Sequence, residues 1–227
     1  MLRINIVSFL SLMLILAACN HDKTASNQNR DSLSKQIKGV EQNSERKNIL
    51  FFGTSLTAGY GLDQAEAYPA LIQQKIDSLK LPYKVINAGL SGETSAAGKS
   101  RIDWLLKQPV SIFVLELGAN DGLRGIAVKE TITNLQAIID KVKAKNPDVK
   151  LVMEGMQMPP NMGETYTTEF KAIFKDLAEK NEMVYVPFLL EGVGGISKLN
   201  QSDGIHPTAK GHQILAKNVW VKLKDEL

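Results

Sequence analysis

A serine, a histidine and an aspartate occur in this chain in a pattern that could perform acyl transfer. Ser55 lies in the short block Gly53–Leu56, and Asp203 precedes His206 by three residues. A serine hydroxyl is a weak nucleophile that needs a base within hydrogen-bond reach, and the base needs a third group to orient it. These residue types therefore predict nucleophilic catalysis by Ser55.

The choice of base is narrowed by the small number of histidines. The chain has three, and His21 lies in a polar N-terminal segment, which leaves His206 or His212. Asp203, on a predicted tight turn, can reach back to the imidazole of His206 and fix its tautomer. His212 falls within a predicted helix, where we expect a surface or helix-face position. We therefore predict that His206 is the base and that Asp203 orients it.

Acyl transfer also needs hydrogen-bond donors aimed at the negative charge that develops on the carbonyl oxygen. The side-chain amide of Asn120, in the block Gly118–Asp121, suits this role. So does the backbone N–H of Gly92, in the block Asn87–Thr94, because a residue without a side chain lets a substrate approach closely. Each residue alone could simply end a strand, since Gly and Asn are common in turns. Their joint occurrence with the Ser55 block favours an oxyanion hole.

These blocks follow predicted strands in a chain that alternates strands with helices. The predicted strands are Ile49–Phe52, Tyr83–Ile86, Ile112–Leu117, Val149–Met153 and Met183–Val186. The predicted helices are Pro69–Leu79, 95–107, Thr131–Lys145, Thr167–Lys180 and a last one that begins at Pro207. Such alternation predicts a three-layer α/β fold with a parallel sheet and helices on both faces. In this architecture, ligands bind outside the carboxyl ends of the strands.

The motif residues resemble those of a known family. The four residues that name the SGNH hydrolases are matched, block by block, by Ser55, Gly92, Asn120 and His206. A narrower resemblance, to the periplasmic thioesterase I/arylesterase/lysophospholipase group of SGNH/GDSL hydrolases, covers residues 48–225. The segments that carry it are Gly53–Leu62 (GTSLTAGYGL), Ser91–Ser95 (SGETS), Leu115–Gly125 (LELGANDGLRG) and Asp203–Pro207 (DGIHP).

The resemblance implies a flavodoxin-like fold with a five-stranded parallel sheet. It implies a serine esterase that hydrolyses acyl esters or thioesters through an acyl-serine intermediate, without a metal or another cofactor. It also implies that the Ser55 N–H joins Gly92 and Asn120 in the oxyanion hole. One position departs from the family, which usually has Asp where this chain has Thr54. That Asp is outside the triad, so the departure bears on the rigidity of the turn rather than on the chemistry.

Three other interpretations compete with the esterase. An α/β-hydrolase would have G-x-S-x-G around its nucleophile, but Thr57 stands where the second glycine belongs. Some SGNH hydrolases remove acetyl groups from sugars, so an extracytoplasmic carbohydrate O-deacetylase is the runner-up among enzymes. A non-catalytic lipoprotein binding module with a vestigial site is the alternative from another class. The intact set of motif residues argues against such decay.

Substrate-lining residues are sought next to the motif blocks. Leu123 and Arg124 lie just past the Asn120 block and are placed to line a cleft. Met156, Met158 and Met162 lie on one predicted loop after the fourth strand, and methionine suits a groove that accepts several acyl chains. The equal alternative for these methionines is a loop that caps the core.

The N-terminus has the pattern of a secretion signal. Residues 1–19 contain Arg3, then an apolar run, then Leu16-Ala17-Ala18-Cys19. Small residues directly before a cysteine resemble the lipobox of bacterial lipoproteins, which predicts lipidation of Cys19. The alternative is an ordinary signal peptide with an incidental cysteine. Residues 20–47, which are polar and contain no aromatic residue, predict a disordered tether to an extracytoplasmic, membrane-anchored domain over residues 48–227.

Composition excludes two other classes of function. The chain of 227 residues has 27 basic and 24 acidic side chains, of which seven and four precede residue 48, so 20 of each remain in the predicted domain. A neutral domain lacks the electrostatic signature of nucleic-acid binding. Cys19 is the only cysteine, which excludes an internal disulfide and a cysteine metal site. The expected partners are a small acyl ester or lipid-like substrate and, through the anchor, a membrane; we expect a monomer.

Overall fold

A computed structural model describes residues 46–227 of the chain. Within this range the strands are β1 (Lys47–Gly53), β2 (Tyr83–Gly89), β3 (Ile112–Glu116), β4 (Lys150–Glu154) and β5 (Val184–Val186). The α-helices are α1 (Ser55–Ala58), α2 (Tyr68–Ser78), α3 (Ser95–Leu105), α4 (Ala119–Leu123), α5 (Val128–Lys145), α6 (Glu164–Lys180) and α7 (Ala209–Leu223). Short 3-10 turns occur at Gln64–Glu66, Pro160–Met162, Ser197–Leu199 and Lys224–Glu226.

The five strands form one parallel sheet in the order β2-β1-β3-β4-β5. The predicted α/β fold class is thereby confirmed. From β1 the chain first moves outward to β2 and then crosses to the other side to form β3. The topological switch point therefore lies between the carboxyl ends of β1 and β3, where this class of sheet binds its ligands.

Helices cover both faces of the sheet, and side chains of its central strands alternate between the two faces. In β1, the ring of Phe51 packs edge-on against Tyr68 of α2, with a centroid distance of 5.7 Å. The next residue, Phe52, points to the opposite face, where the guanidinium of Arg101 from α3 lies 4.4 Å from its ring centroid. Since neighbouring side chains point to opposite faces, a strand buried on both sides is apolar throughout. This explains the uninterrupted apolar run that identified β1 in the sequence.

Two one-turn helices, α1 and α4, were not predicted from the sequence. They directly follow β1 and β3 and carry Ser55 and Asn120. Helices of four and five residues are too short for an apolar periodicity to identify them. They bring the two motif residues to the same edge of the sheet.

The N-terminal predictions lie almost wholly outside the described residues. The signal peptide predicted for residues 1–19 and the tether predicted for 20–47 are covered only at Arg46 and Lys47. Lys47 belongs to β1, so the predicted tether extends one residue too far. From residue 46 to the C-terminus, every helix is too short or too polar to cross a bilayer.

Candidate active site

The turn that carries Ser55 is formed where β1 ends and α1 begins. The backbone of Gly53 completes the strand, Thr54 is the N-cap of α1, and Ser55 is its first residue. Gly59 ends this single turn in the left-handed conformation, with a φ of 73°. A strand followed at once by a tight helical turn places the Ser55 side chain at the carboxyl edge of the sheet.

Ser55, His206 and Asp203 form a continuous chain of hydrogen bonds. Ser55 Oγ lies 2.9 Å from His206 Nε2, and His206 Nδ1 lies 2.7 Å from Asp203 Oδ2. With the Nδ1–H donating to the carboxylate, Nε2 is left to accept the serine proton. The structure thus brings together the three side chains that the sequence predicted, in the geometry of an activated nucleophile.

Asp203 is held by the turn that it begins. Its Oδ1 accepts hydrogen bonds from the backbone N–H groups of His206, at 3.0 Å, and Ile205, at 2.9 Å. These bonds, with the hydrogen bond to the His206 ring, lower the pKa of Asp203 to about 2. Gly204 allows the tight turn because its φ is 71°. Asp203 is therefore ionised near neutral pH and can stabilise a histidine cation.

The loop of His206 is tied to the loop that follows α1. The Gln201 side chain donates to the Tyr60 carbonyl at 2.7 Å, and the Gln201 N–H donates to the His206 carbonyl, also at 2.7 Å. The rings of Tyr60 and His206 are in contact, with centroids 4.6 Å apart. These contacts link two segments that are far apart in the sequence and hold the imidazole near Ser55.

Gly92 has a backbone conformation that favours glycine, with a φ of 79°. The Arg124 guanidinium donates to the Gly92 carbonyl at 3.1 Å and so fixes the direction of this segment. Within residues 46–227, the N–H groups of Ser55 and Gly92 donate to no protein acceptor. Both remain available to a substrate oxygen.

Asn120 is oriented by the segment that follows β2. Its side-chain amide donates to the Glu93 carbonyl at 3.0 Å, which leaves the second amide hydrogen for a substrate. The buried Glu93 carboxylate pairs with Arg101, whose guanidinium also donates to the Ala88 carbonyl at 2.7 Å. The ion pair thus ties the segment that orients Asn120 to the end of β2.

The predicted substrate-lining residues have different environments. Met156 is only 2% exposed and belongs to the hydrophobic core, so it does not line an open groove. For Met156 the structure supports the alternative of a loop that caps the core. Met158 and Met162 are partly exposed, and Leu123 is 46% exposed. Arg124 is exposed, and its observed contact is with Gly92.

His212 lies on a buried face of α7. Of the two positions that the sequence predicts, surface or helix face, the structure excludes the first, because His212 is 1% exposed and its Nδ1 accepts a hydrogen bond from the Tyr68 N–H at 3.1 Å. Burial is the main cause that lowers the pKa of His212 to about 4. A neutral histidine in this position joins α7 to α2, and the hydrogen bond to Ser55 is made by His206.

Sequence reasoning missed two groups of residues at this edge. Glu116, the last residue of β3, is fully buried and accepts hydrogen bonds from the nucleophile turn. A lone carboxylate ending the most apolar strand was the available signal. The second group comprises exposed apolar side chains within five residues of a motif residue, and we call it the apolar rim. Its members are Leu123, which the sequence predicted as a lining residue, and Tyr60, Leu90 and Ile205, which it did not.

Comparisons with known proteins agree with this geometry. The model of the GDSL-like Lipase/Acylhydrolase family matches residues 51–214. Esterase TesA of Pseudomonas aeruginosa is 38% identical over 82% of this chain and 92% of its own length. Thioesterase 1/protease 1/lysophospholipase L1 of Escherichia coli is 38% identical over 74% of this chain and 79% of its own. A crystal structure of TesA superposes with a TM-score of 0.76 at 38% identity, covering 80% of this chain and all of that one.

Proposed function

This chain belongs to the GDSL-like lipase/acylhydrolase family, and we propose that it hydrolyses acyl esters or thioesters through an acyl intermediate on Ser55. The observation that carries the proposal is the hydrogen-bonded chain from Ser55 through His206 to Asp203. The relatives described as an esterase, a thioesterase and a lysophospholipase support the same class of substrate.

Acylation begins when Ser55 Oγ attacks the carbonyl carbon of the substrate. His206 Nε2, 2.9 Å away, takes the hydroxyl proton, and the ionised Asp203 stabilises the resulting imidazolium. The negative oxygen of the tetrahedral intermediate is bound by the Ser55 and Gly92 N–H groups and the Asn120 amide. His206 then gives its proton to the departing alkoxide or thiolate, and the acyl group remains on Ser55.

Deacylation repeats these steps with water as the nucleophile. His206 removes a proton from the water as it attacks the acyl-serine carbonyl, and the same donors bind the second oxyanion. The proton then returns to Ser55 Oγ, which leaves as a free hydroxyl and releases the acid. The Asp203 carboxylate keeps the imidazole in one orientation through both halves of the reaction.

The apolar rim favours a substrate with an apolar acyl chain. Its four side chains are exposed by 51% (Tyr60), 51% (Leu90), 46% (Leu123) and 52% (Ile205). Apolar groups left half in water beside a reactive serine gain free energy when an acyl chain covers them. An acetylated sugar would present mainly hydroxyl groups to these side chains and would gain less.

We expect kcat/KM to rise with acyl length in a series of para-nitrophenyl esters. Each buried methylene contributes about 0.8 kcal/mol, so an increase from two to six carbons should raise kcat/KM by about two orders of magnitude. In Leu123→Ser the rise should be shallower. Leu79→Ser, which removes a side chain of similar exposure (51%) at the opposite edge of the sheet, is the matched control and should keep the wild-type slope.

The same series is run beside acetylated xylose, which tests the runner-up. A flat or falling profile from acetate upward, together with efficient release of acetate from the sugar, would assign the chain to the carbohydrate O-deacetylases instead.

The proposal includes a location outside the cytoplasm, with a monomeric enzyme tethered to a membrane by lipid on Cys19. It rests on the sequence Leu16–Cys19, and Asn20 follows the cysteine. We expect metabolic labelling with a radioactive fatty acid to label the wild-type protein and the inactive Ser55→Ala variant equally. Cys19→Ala should lose the label. A labelled Cys19→Ala protein would place the attachment at another residue.

A further inference from the structure

A buried carboxylate gathers the donors of the nucleophile turn. Glu116 Oε2 accepts hydrogen bonds from the backbone N–H groups of Thr54, at 2.8 Å, and Thr57, at 3.3 Å. The hydroxyls of the same two threonines also donate to Glu116, each at 2.9 Å. Four groups on either side of Ser55 therefore converge on one side chain from the neighbouring strand.

The backbone of β1 makes room for this carboxylate. A Cβ atom at residue 53 would lie 2.6 Å from Glu116 Oε2, a distance that requires one of the two to move. Gly53 thus permits Glu116 to reach under the turn. The same Cβ would lie even closer to Thr57 Oγ1, so a side chain at residue 53 would collide with both partners of this contact.

A second buried glutamate at the same level of the sheet lacks these contacts. Glu154 ends β4, one position beyond the paired residues Leu115 and Met153. Its Oε2 accepts a hydrogen bond from the Tyr68 hydroxyl at 2.8 Å, and its Oε1 is buried without a partner in the described part of the chain. Burial raises the pKa of Glu154 well above its usual range.

Glu116 therefore contacts the turn that carries Ser55, whereas Glu154 contacts Tyr68. A carboxylate that accepts from Thr54 and Thr57 fixes the peptide planes before and after the nucleophile. The Ser55 N–H lies between these two bonds and is left for the oxyanion. Thr54, where the family usually has Asp, supplies a hydroxyl donor to Glu116 instead of a second carboxylate.

We propose that Glu116 is a positioning residue for the nucleophile, which holds the Thr54–Thr57 turn so that Ser55 Oγ faces His206 and the Ser55 N–H faces the oxyanion. This inference rests on the proposed role of Ser55 and adds the residue that sets its orientation. The Thr54 hydroxyl also lies 3.0 Å from the second oxygen, Oε1, so both oxygens of Glu116 face donors, an arrangement that suits a carboxylate rather than an amide.

The test compares Glu116→Gln with Glu154→Gln as the matched control. An amide in place of Glu116 offers one acceptor oxygen and turns N–H groups toward existing donors. Activity is measured at pH 8, which lies above the value of about 7 to which burial raises the pKa of Glu116. At this pH we expect Glu116→Gln to have a lower kcat for para-nitrophenyl butyrate than the wild type. A small misplacement of reacting groups lowers rates by about 10- to 100-fold, and KM should stay within about twofold. Glu154→Gln should keep the wild-type kcat.

A fluorophosphonate probe gives a second readout that depends on Ser55 alone. Its second-order rate of attachment should fall in Glu116→Gln by the same factor as kcat and should be unchanged in Glu154→Gln. The melting temperature of each variant separates this effect from a general loss of stability. Wild-type kcat in a folded Glu116→Gln enzyme would overturn the inference, as would equal losses in the two glutamate variants.

Thr54→Val provides an independent test should Glu116→Gln fail to fold. It removes one hydroxyl donor to Glu116 and keeps the backbone N–H, so we expect a loss in kcat of several-fold with little change in KM. Where both single variants fold, the double variant should lose less than the product of the single losses, because both changes break the same contact. Wild-type kcat in Thr54→Val, or fully multiplicative losses, would contradict the inference.

The outcomes also separate this inference from the proposed function. If Ser55→Ala is inactive while Glu116→Gln is fully active, Ser55 keeps its role and Glu116 loses the one assigned here. If Ser55→Ala retains activity, the proposed mechanism itself is wrong.

Discussion

Replacing Ser55 with alanine should abolish hydrolysis of a short aryl ester and leave the fold intact. His206 would then have no hydroxyl to deprotonate, although the oxyanion donors would remain. Removing the serine of another Ser-His-Asp hydrolase lowers kcat by about 10⁶-fold, and we expect a loss of that order. Ser55 is partly exposed at the surface, so the change leaves no buried cavity and should not lower the melting temperature.

The measurement is kcat for para-nitrophenyl butyrate, together with labelling by a serine-reactive fluorophosphonate. Ser91→Ala is a matched control: Ser91 is exposed and adjoins Gly92, but the structure gives it no hydrogen bond to a histidine among residues 46–227. We expect Ser91→Ala to be labelled and active and Ser55→Ala to be neither. A wild-type protein that resists the probe would favour the binding module with a vestigial site. Near-wild-type turnover by Ser55→Ala would exclude Ser55 as the nucleophile.

Replacing His206 with alanine should have the second largest effect, a loss in kcat of about 10⁴- to 10⁶-fold. Without the imidazole, the Ser55 hydroxyl keeps its proton during attack, and the leaving group receives none. The wild-type rate should also fall as the pH decreases, because an imidazolium cannot accept the serine proton and because Glu116, whose pKa burial raises to about 7, becomes protonated. Asp203, whose pKa is about 2, stays ionised over that range and contributes nothing to the decline.

His212→Ala separates catalysis from stability in the same experiment. Its loss leaves the Tyr68 N–H buried without an acceptor, which costs about 1–3 kcal/mol in the free energy of unfolding. We expect a lower melting temperature and a kcat near that of the wild type for the folded fraction. If His212→Ala were instead stable and inactive, and His206→Ala active, the two histidines would have exchanged roles. Equal kcat losses in both would also contradict the assignment.

The sequence by itself determined the features that depend on neighbouring residues. The apolar run at β1 and the apolar stripe of α5 indicated their elements because burial imposes a period on the local sequence. The Asp203–His206 pair was predictable for the same reason, since three residues of a tight turn fix its geometry. The site as a whole was predictable because the parallel sheet brings the segments after its strands to one edge.

The tertiary structure alone decided which distant groups meet. Ser55 and His206 are separated by 151 residues, and the contacts of Gln201 with Tyr60 and His206 hold the imidazole near Ser55. The packing of α7 against α2 buries His212. The same applies to Met156, which had the composition of a groove but lies in the core. Local pattern gives the type of side chain and the face of an element on which it lies.

Glu116 shows most clearly what the local sequence could not predict. The sequence places a carboxylate at the end of an apolar strand, but its partners Thr54 and Thr57 come from the turn that follows the neighbouring strand. A buried charge is tolerated only where enough donors surround it, and that number is fixed by the register between β1 and β3. Register depends on contacts across the sheet, so the sequence of either strand alone does not contain it.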